Sequence, residues 1–193
     1  MKQSAKGVII CGIGGQGVVL VSNILTEGLM EMGFDVKKTE EHGMSQRNGA
    51  VNAQIKFGAK VFAPAVAKGS GDLIIAFEKA ESLRWLEYLR PDGCLIVNDV
   101  EIEPVSVQAG KEKYPENLSE ILRAEIADTI IINAAEAAFR MGTIRAQSMV
   151  LLGISVKKLE LGSFAWTAKI RAMVPEKYQE ANINAFQYGL SLV

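Results

Sequence analysis

An α/β architecture, with a mostly parallel sheet, an inserted antiparallel hairpin and a helical C-terminal part, follows from three features of the chain. A β-branched apolar run, "GVIICG", leads through glycines into apolar residues at helical spacing. Further apolar runs of strand length, "DLIIAF", "CLIVND" and "TIIIN", are separated by segments of mixed polarity. One segment, "AVNAQIKFG", instead alternates every second residue. Continuous apolar strands belong to a parallel sheet covered on both faces, whereas strict alternation belongs to a strand with one wet face.

Taken in order, the first strand gives way at Gly12-Ile13-Gly14-Gly15-Gln16-Gly17 to a helix whose inner face is Val18, Val21, Leu25, Leu29 and Met32. Gly33 ends that helix, and "FDVKK" supplies a second strand, so residues 7–38 form a βαβ unit. "EEHGMSQRNGA" is polar and glycine-bearing and predicts a loop. The antiparallel hairpin is expected between "AVNAQIKFG" and "KVFAPAV", which follows Gly58 closely. Strand "DLIIAF", helix "KAESLRWLEYLR", a turn at Pro91-Asp92-Gly93 and strand "CLIVND" come next. Then "LSEILRAEIA" is helical, "TIIIN" is the last strand, and from Ala134 the chain is helical with breaks. Pro175 is expected at the first position of the terminal helix. No repeat or linker divides residues 1–193, which predicts one domain.

Composition narrows the function classes. The 193 residues are 49% hydrophobic and 22% charged, enough to bury a core without disulfides or metals. With 21 basic and 22 acidic side chains the net charge is −1, which excludes a field that would hold nucleic acid or an anionic membrane. From Gly7 to Thr26 no residue is charged, but glycines break the centre of that stretch, so it predicts neither a membrane span nor a secretory signal. Cys11 and Cys94 border apolar runs and suit buried thiols in a reducing, cytoplasmic setting. Two cysteines cannot supply the four thiolates of an iron–sulfur cluster or a structural zinc site. Phosphate-loop, serine-elbow and metal-binding histidine patterns are absent too. The chain therefore carries no complete catalytic set of its own.

Two segments carry candidate chemistry. The turn Gly12, Gly14, Gly15, Gln16 and Gly17 satisfies G-x-G-x-x-G between a strand and a helix. Either the glycines serve chain geometry, or the turn and the helix N-terminus hold an anion such as a phosphate. The acidic residue that normally accompanies the dinucleotide form is displaced, because "VKK" precedes Glu40 and Glu41. The second segment, Glu41, His42, Gly43, Met44, Ser45, Gln46, Arg47 and Asn48, concentrates groups able to hold a carboxylate or phosphate, with Arg47 as a fork donor. His42 is the sole histidine and hence the first candidate for any proton transfer near neutral pH, although a structural role is commoner for a lone histidine. Glu78, Glu81 and Arg84 fall on one helix face, where a solvated or salt-bridged surface is expected. No metal site is expected.

"GIGGQGVVLVSNIL" followed by "EEHGMSQRNGAV" resembles the γ subunit or γ domain of 2-oxoacid:ferredoxin oxidoreductases, the pyruvate/ketoisovalerate γ type. The second string is most similar to the branch of the indolepyruvate ferredoxin oxidoreductase β subunit. "FEKAESLRWLEYLRPDGCLIVND", "KYPEN", "MVLLG" and "NINAFQYG" extend the resemblance in order over nearly the whole chain. One departure is Asn48, which stands where the family has the first of two glycines. The resemblance implies a Rossmann-like domain that binds no cofactor alone and is inactive alone. It implies larger partner chains bearing thiamine diphosphate, Mg2+ and [4Fe-4S] clusters, with ferredoxin as electron acceptor and coenzyme A as co-substrate. The assembly would oxidatively decarboxylate a 2-oxo acid, an aryl pyruvate by branch likeness, to an acyl-CoA. The glycine turn and the 41–48 segment would face the shared active site or the coenzyme A path. A self-sufficient dinucleotide dehydrogenase and a nucleotide- or coenzyme A-binding module are the alternatives.

Overall fold

The computed structural model describes residues 5–43, 49–111 and 113–193. Six strands form one sheet in the order β2-β3-β1-β4-β5-β6. They are β1 (Lys6–Ile13), β2 (Asp35–His42), β3 (Ala50–Gly58), β4 (Gly71–Ala76), β5 (Leu89–Asn98) and β6 (Asp128–Ile132). β1, β4, β5 and β6 pair in parallel, while β3 runs antiparallel to both β1 and β2. The sheet is thus mostly parallel with an inserted antiparallel hairpin, as the apolar runs and the single alternating one predict.

Helix α1 (Val18–Glu31) packs Val18, Val21, Leu25 and Leu29 on one sheet face. Gly33, at φ +87°, stops it with paired hydrogen bonds, Gly33 N–H to Met30 O (2.9 Å) and Phe34 N–H to Leu29 O (3.1 Å). The other face is covered by α2 (Lys79–Trp85) and, beyond the short α3 (Val105–Gln108), by α4 (Leu118–Glu125). The C-terminal part is helical: α5 (Ala134–Arg140), α6 (Gln147–Lys158), α7 (Trp166–Met173) and α8 (Gln179–Ser191). Every residue of α6 from Ser148 to Val156 is buried, because the sheet lies on one side of it and α8 on the other.

Four local expectations are corrected. The hairpin is β2–β3, not β3 with "KVFAPAV". In that segment the Val61 and Val66 N–H groups donate to side chains, Asp35 Oδ2 (2.9 Å) and Gln54 Oε1 (2.8 Å). Pro64 has no N–H to offer a ladder. The segment instead covers β3, so Gln54, expected on a wet face, is only 8% exposed. β2 also continues through Glu40, Glu41 and His42, which were expected in a loop. Pro91–Gly93 is not a turn before β5 but an irregularity inside it, where the register moves from Gly71↔Leu89 to Leu73↔Cys94. Pro175 precedes a 3-10 turn, Glu176–Tyr178, and α8 starts only at Gln179. Among the described residues no helix is long and apolar enough to cross a membrane.

Candidate functional site

The glycine turn sits where the sheet's connections change sides, since α1 covers one face and α2 the other. In such sheets the crevice beyond the carboxyl ends of the strands is where ligands bind. A Cβ on Gly12 would meet Phe77 Cβ at 2.7 Å, so only glycine lets β1 end against β4 here. Gly15 and Gly17 have φ of +97° and +98°, a region that L side chains rarely occupy. Gly17 caps α1 without a side-chain acceptor, and the first turn contains no acidic residue. Among the described residues no side chain caps this helix end, which carries a partial positive charge.

Gln16 belongs to the turn but points inward. Its Oε1 accepts from Ile13 N–H (2.7 Å), and its Nε2 donates to Phe77 O (2.8 Å). Asn98, fully buried at the end of β5, donates to the same carbonyl (3.3 Å), and its Oδ1 accepts from Ala134 N–H (2.9 Å). This amide network ties β1, β4, β5 and α5 beneath the turn. Asn98 has one signal in the sequence, a lone amide closing the apolar run "CLIVN", and that does not announce its role. Gln16→Ala strands a buried N–H and should cost about 1–3 kcal/mol. A melting temperature within 1 °C of wild type would contradict that role.

Strand pairing brings the second segment alongside. Gly14 N–H donates to Gly49 O (2.9 Å), Ile13 pairs with Ala50, and Val51 pairs with His42. A cavity of about 440 Å³ results, lined by Gly14, Gly15 and Gly17 but not Gly12, by Ile13, Val18, Val19 and Val51, and by His42. His42 is thus gathered with Gly14, Gly15 and Gly17. Glu41 is not, because successive strand residues face opposite ways. Its carboxylate instead accepts from Asn52 Nδ2 (3.2 Å) on the other face. Gly43 N–H is spent on Ala50 O (2.8 Å). Met44, Ser45, Gln46, Arg47 and Asn48 lie outside the described residues.

Glu40 cannot serve as the ribose-binding acid of a dinucleotide fold. β3 stands between β1 and β2, which moves β2 out by a further strand spacing of about 4.8 Å. Burial would raise the Glu40 pKa, but hydrogen bonds from Lys38 and Ser22 outweigh it and hold the carboxyl below its usual range. Its Oε1 accepts from Lys38 Nζ (2.8 Å) and Ser22 Oγ (2.7 Å).

Of the solvated or salt-bridged surface expected at Glu78, Glu81 and Arg84, the solvated alternative fails at the two acids, which are 1% and 6% exposed, while Glu81 keeps an ion pair with Arg84 at 3.4 Å. Glu78 caps α2, accepting from Glu81 N–H (2.9 Å), Ile102 N–H (3.2 Å) and the Tyr114 hydroxyl. Ile102 and Tyr114, from the connection after β5, close over it, which no local pattern announces. Burial, and then Glu78, push the Tyr114 phenol upward. Burial also pushes the Glu81 carboxyl up, against the pull of Arg84. Cys11 and Cys94 are buried and free. Burial raises both thiols, Cys94 to about 12, so neither is a ready thiolate nucleophile. Among the described residues no three His, Cys, Asp or Glu side chains gather as a metal site.

Comparison with known proteins places this geometry. The chain belongs to the pyruvate ferredoxin/flavodoxin oxidoreductase family, whose model matches residues 7–192, and it is similar to IorB subunits. It is 34% identical to the indolepyruvate oxidoreductase subunit IorB of Pyrococcus horikoshii, over 95% of this chain and 93% of that one. It is 35% identical to the IorB subunit of Archaeoglobus fulgidus, over 94% and 92%. The fold matches pyruvate oxidoreductase subunit PORC from Thermotoga maritima with a TM-score of 0.72 at 21% identity, covering 98% and 97% of the two chains. It also matches a 2-oxoglutarate:ferredoxin oxidoreductase from Magnetococcus marinus, solved with 2-oxoglutarate, coenzyme A and succinyl-CoA. That TM-score is 0.70 at 15% identity, and the match covers 99% of this chain and 31% of the other.

Proposed function

We propose that the chain, as one domain spanning residues 1–193, completes the active site of a 2-oxoacid:ferredoxin oxidoreductase whose redox cofactors sit on larger partner chains. Thiamine diphosphate with its Mg2+ and the [4Fe-4S] clusters belong to those partners. Coenzyme A is the co-substrate, and an aryl pyruvate is the 2-oxo acid, in line with the names of the IorB relatives. The carrying observation is the cavity where His42 meets an uncapped, acid-free N-terminus of α1. A partial positive charge beside an open, mostly apolar wall suits an anionic segment of coenzyme A. The 41–48 segment, with Ser45, Gln46, Arg47 and Asn48, belongs to the same proposed site. His42 is a positioning group there or, as a second candidate, a proton carrier.

A self-sufficient dinucleotide dehydrogenase fits less well, because the inserted β3 displaces the ribose-binding strand. Affinity purification of the native chain, followed by mass spectrometry and assay, tests the proposal. The expected result is a stable complex with a larger chain that reduces ferredoxin with indolepyruvate and coenzyme A, while the lone chain is inert. Recovery only as a free chain that binds NAD, NADP or FAD at micromolar concentration would replace this reading with the dehydrogenase.

A further inference from the structure

On the sheet face away from the glycine turn, a second cavity of about 190 Å³ lies between α2 with its following 3-10 turn and the start of β3. Glu81, Arg84, Trp85 and Tyr88 line it from the helical side, and Asn52 from the strand side. Two of its acceptors are poorly served. The Glu81 side chain is only 8% exposed, yet its one ion-pair partner among the described residues is Arg84 Nε at 3.4 Å, on a side chain 62% exposed. Among the described residues the buried Asn52 Oδ1 has no donor, while the Asn52 amide is committed to Glu41. Buried acceptors without donors are rare in finished structures, and each needs a reason. Beside them the Trp85 and Tyr88 rings pair at 5.0 Å, offering aromatic faces.

We propose that this cavity receives an arginine side chain of the larger partner subunit, whose guanidinium donates to Glu81 and Asn52 Oδ1 and stacks on the Trp85–Tyr88 pair. The proposal rests on the reading of the chain as a subunit of a complex. The cavity is smaller than the ~300–1,000 Å³ typical of small-molecule sites, so a side-chain head group is the fitting occupant. Among the described residues, two acids of the lining, Glu81 and Glu87, face one base, Arg84; nearby, Glu41 is bonded to Asn52 and Lys68 is paired with Glu87 at 2.7 Å. The balance favours a cation. A guanidinium suits it better than an ammonium, because it has five donors in a plane, is more weakly hydrated and stacks on aromatic rings.

The assembled complex provides the test. Glu81→Gln keeps the shape of the side chain and removes its charge. The expected result is a split in sign: the partner's Kd rises at least tenfold and depends less on salt, while the isolated variant melts at the same temperature as wild type or higher. Glu81→Asp, which keeps the charge, should lose less affinity. A Glu81→Gln Kd within twofold of wild type overturns the proposal. So does a melting temperature that falls along with the affinity, since that marks a role in the fold alone. If wild type assembles normally in either case, the proposed function survives without this inference. A wild-type chain that recruits no larger subunit removes both.

Discussion

Alanine at Gly153 or Gly189 is expected to destabilise the isolated subunit by about 3 kcal/mol, at the upper end of overpacking costs. For a chain of this size that lowers the melting temperature by about 6–12 °C. The cause is a backbone-to-backbone crossing of α6 and α8. A Cβ on Gly153 would stand 2.2 Å from Phe186 O and 2.8 Å from Leu190 N. A Cβ on Gly189 would stand 2.1 Å from Val150 O. A flexible side chain could swing aside, but these are main-chain atoms inside two helices, so the helices themselves must separate. α6 is buried along most of its length, and separation would open the core between it and the sheet. Gly162→Ala is the control, because a Cβ there meets nothing within 4 Å and the backbone is not left-handed. Thermal melts followed by circular dichroism compare the three. A fall of under 2 °C at Gly153 would mean that the helices slide apart at little cost.

The same crossing shows what the amino-acid order could and could not disclose. "MVLLG" and "NINAFQYG" carry no signal in the sequence beyond a family likeness, yet Gly153 and Gly189 are the residues by which those strings touch. Periodicity marks the inner face of a helix but not which helix it meets, so this pairing was out of reach. By contrast α1 was fully legible. Its apolar stripe, its glycine start and its stop at Gly33 are local features, and local physics decides them. The parallel strands were legible because both-sided burial leaves them apolar throughout.

Misreadings arose where distant segments provide the cover. Glu78 and Glu81 have the sequence signature of a wet helix face, but Ile102 and Tyr114 close over Glu78, and Glu81 faces the start of β3. "KVFAPAV" looks strand-like by composition, yet it is held by two side chains, Asp35 and Gln54, that no alternation rule would nominate. The candidate site was half legible. Gly14 and His42 were named from separate strings, and an antiparallel β3 inserted between β1 and β2 is what sets them around one cavity. That insertion also separates a G-x-G-x-x-G turn from its usual dinucleotide role. The turn is kept, and the strand that would read the ribose is displaced.

The largest functional effect is expected from Gly15→Asp. Gly15 projects its missing Cβ into open space, with nothing within 4 Å, beside the cavity that it helps to line. Its φ of +97° strains any side chain, but aspartate and asparagine tolerate positive φ better than most. A carboxylate near the start of α1 also gains about 0.3–1 kcal/mol from the helix dipole, which offsets part of the strain. The isolated fold should therefore melt within a few degrees of wild type. In the assembled enzyme the same charge occupies the place proposed for an anionic segment of coenzyme A. A repulsion of about 1.4–2.8 kcal/mol would raise the KM for coenzyme A roughly 10- to 100-fold. The KM for the 2-oxo acid should change far less, provided the two substrates bind apart. Gly15→Asn has the same bulk and tolerance of positive φ without the charge, so its effect on the coenzyme A KM should be several times smaller. Equal KM values for the two variants would show that crowding, not charge, governs the site, and the anion assignment would then fail even if the subunit assembles and folds as expected.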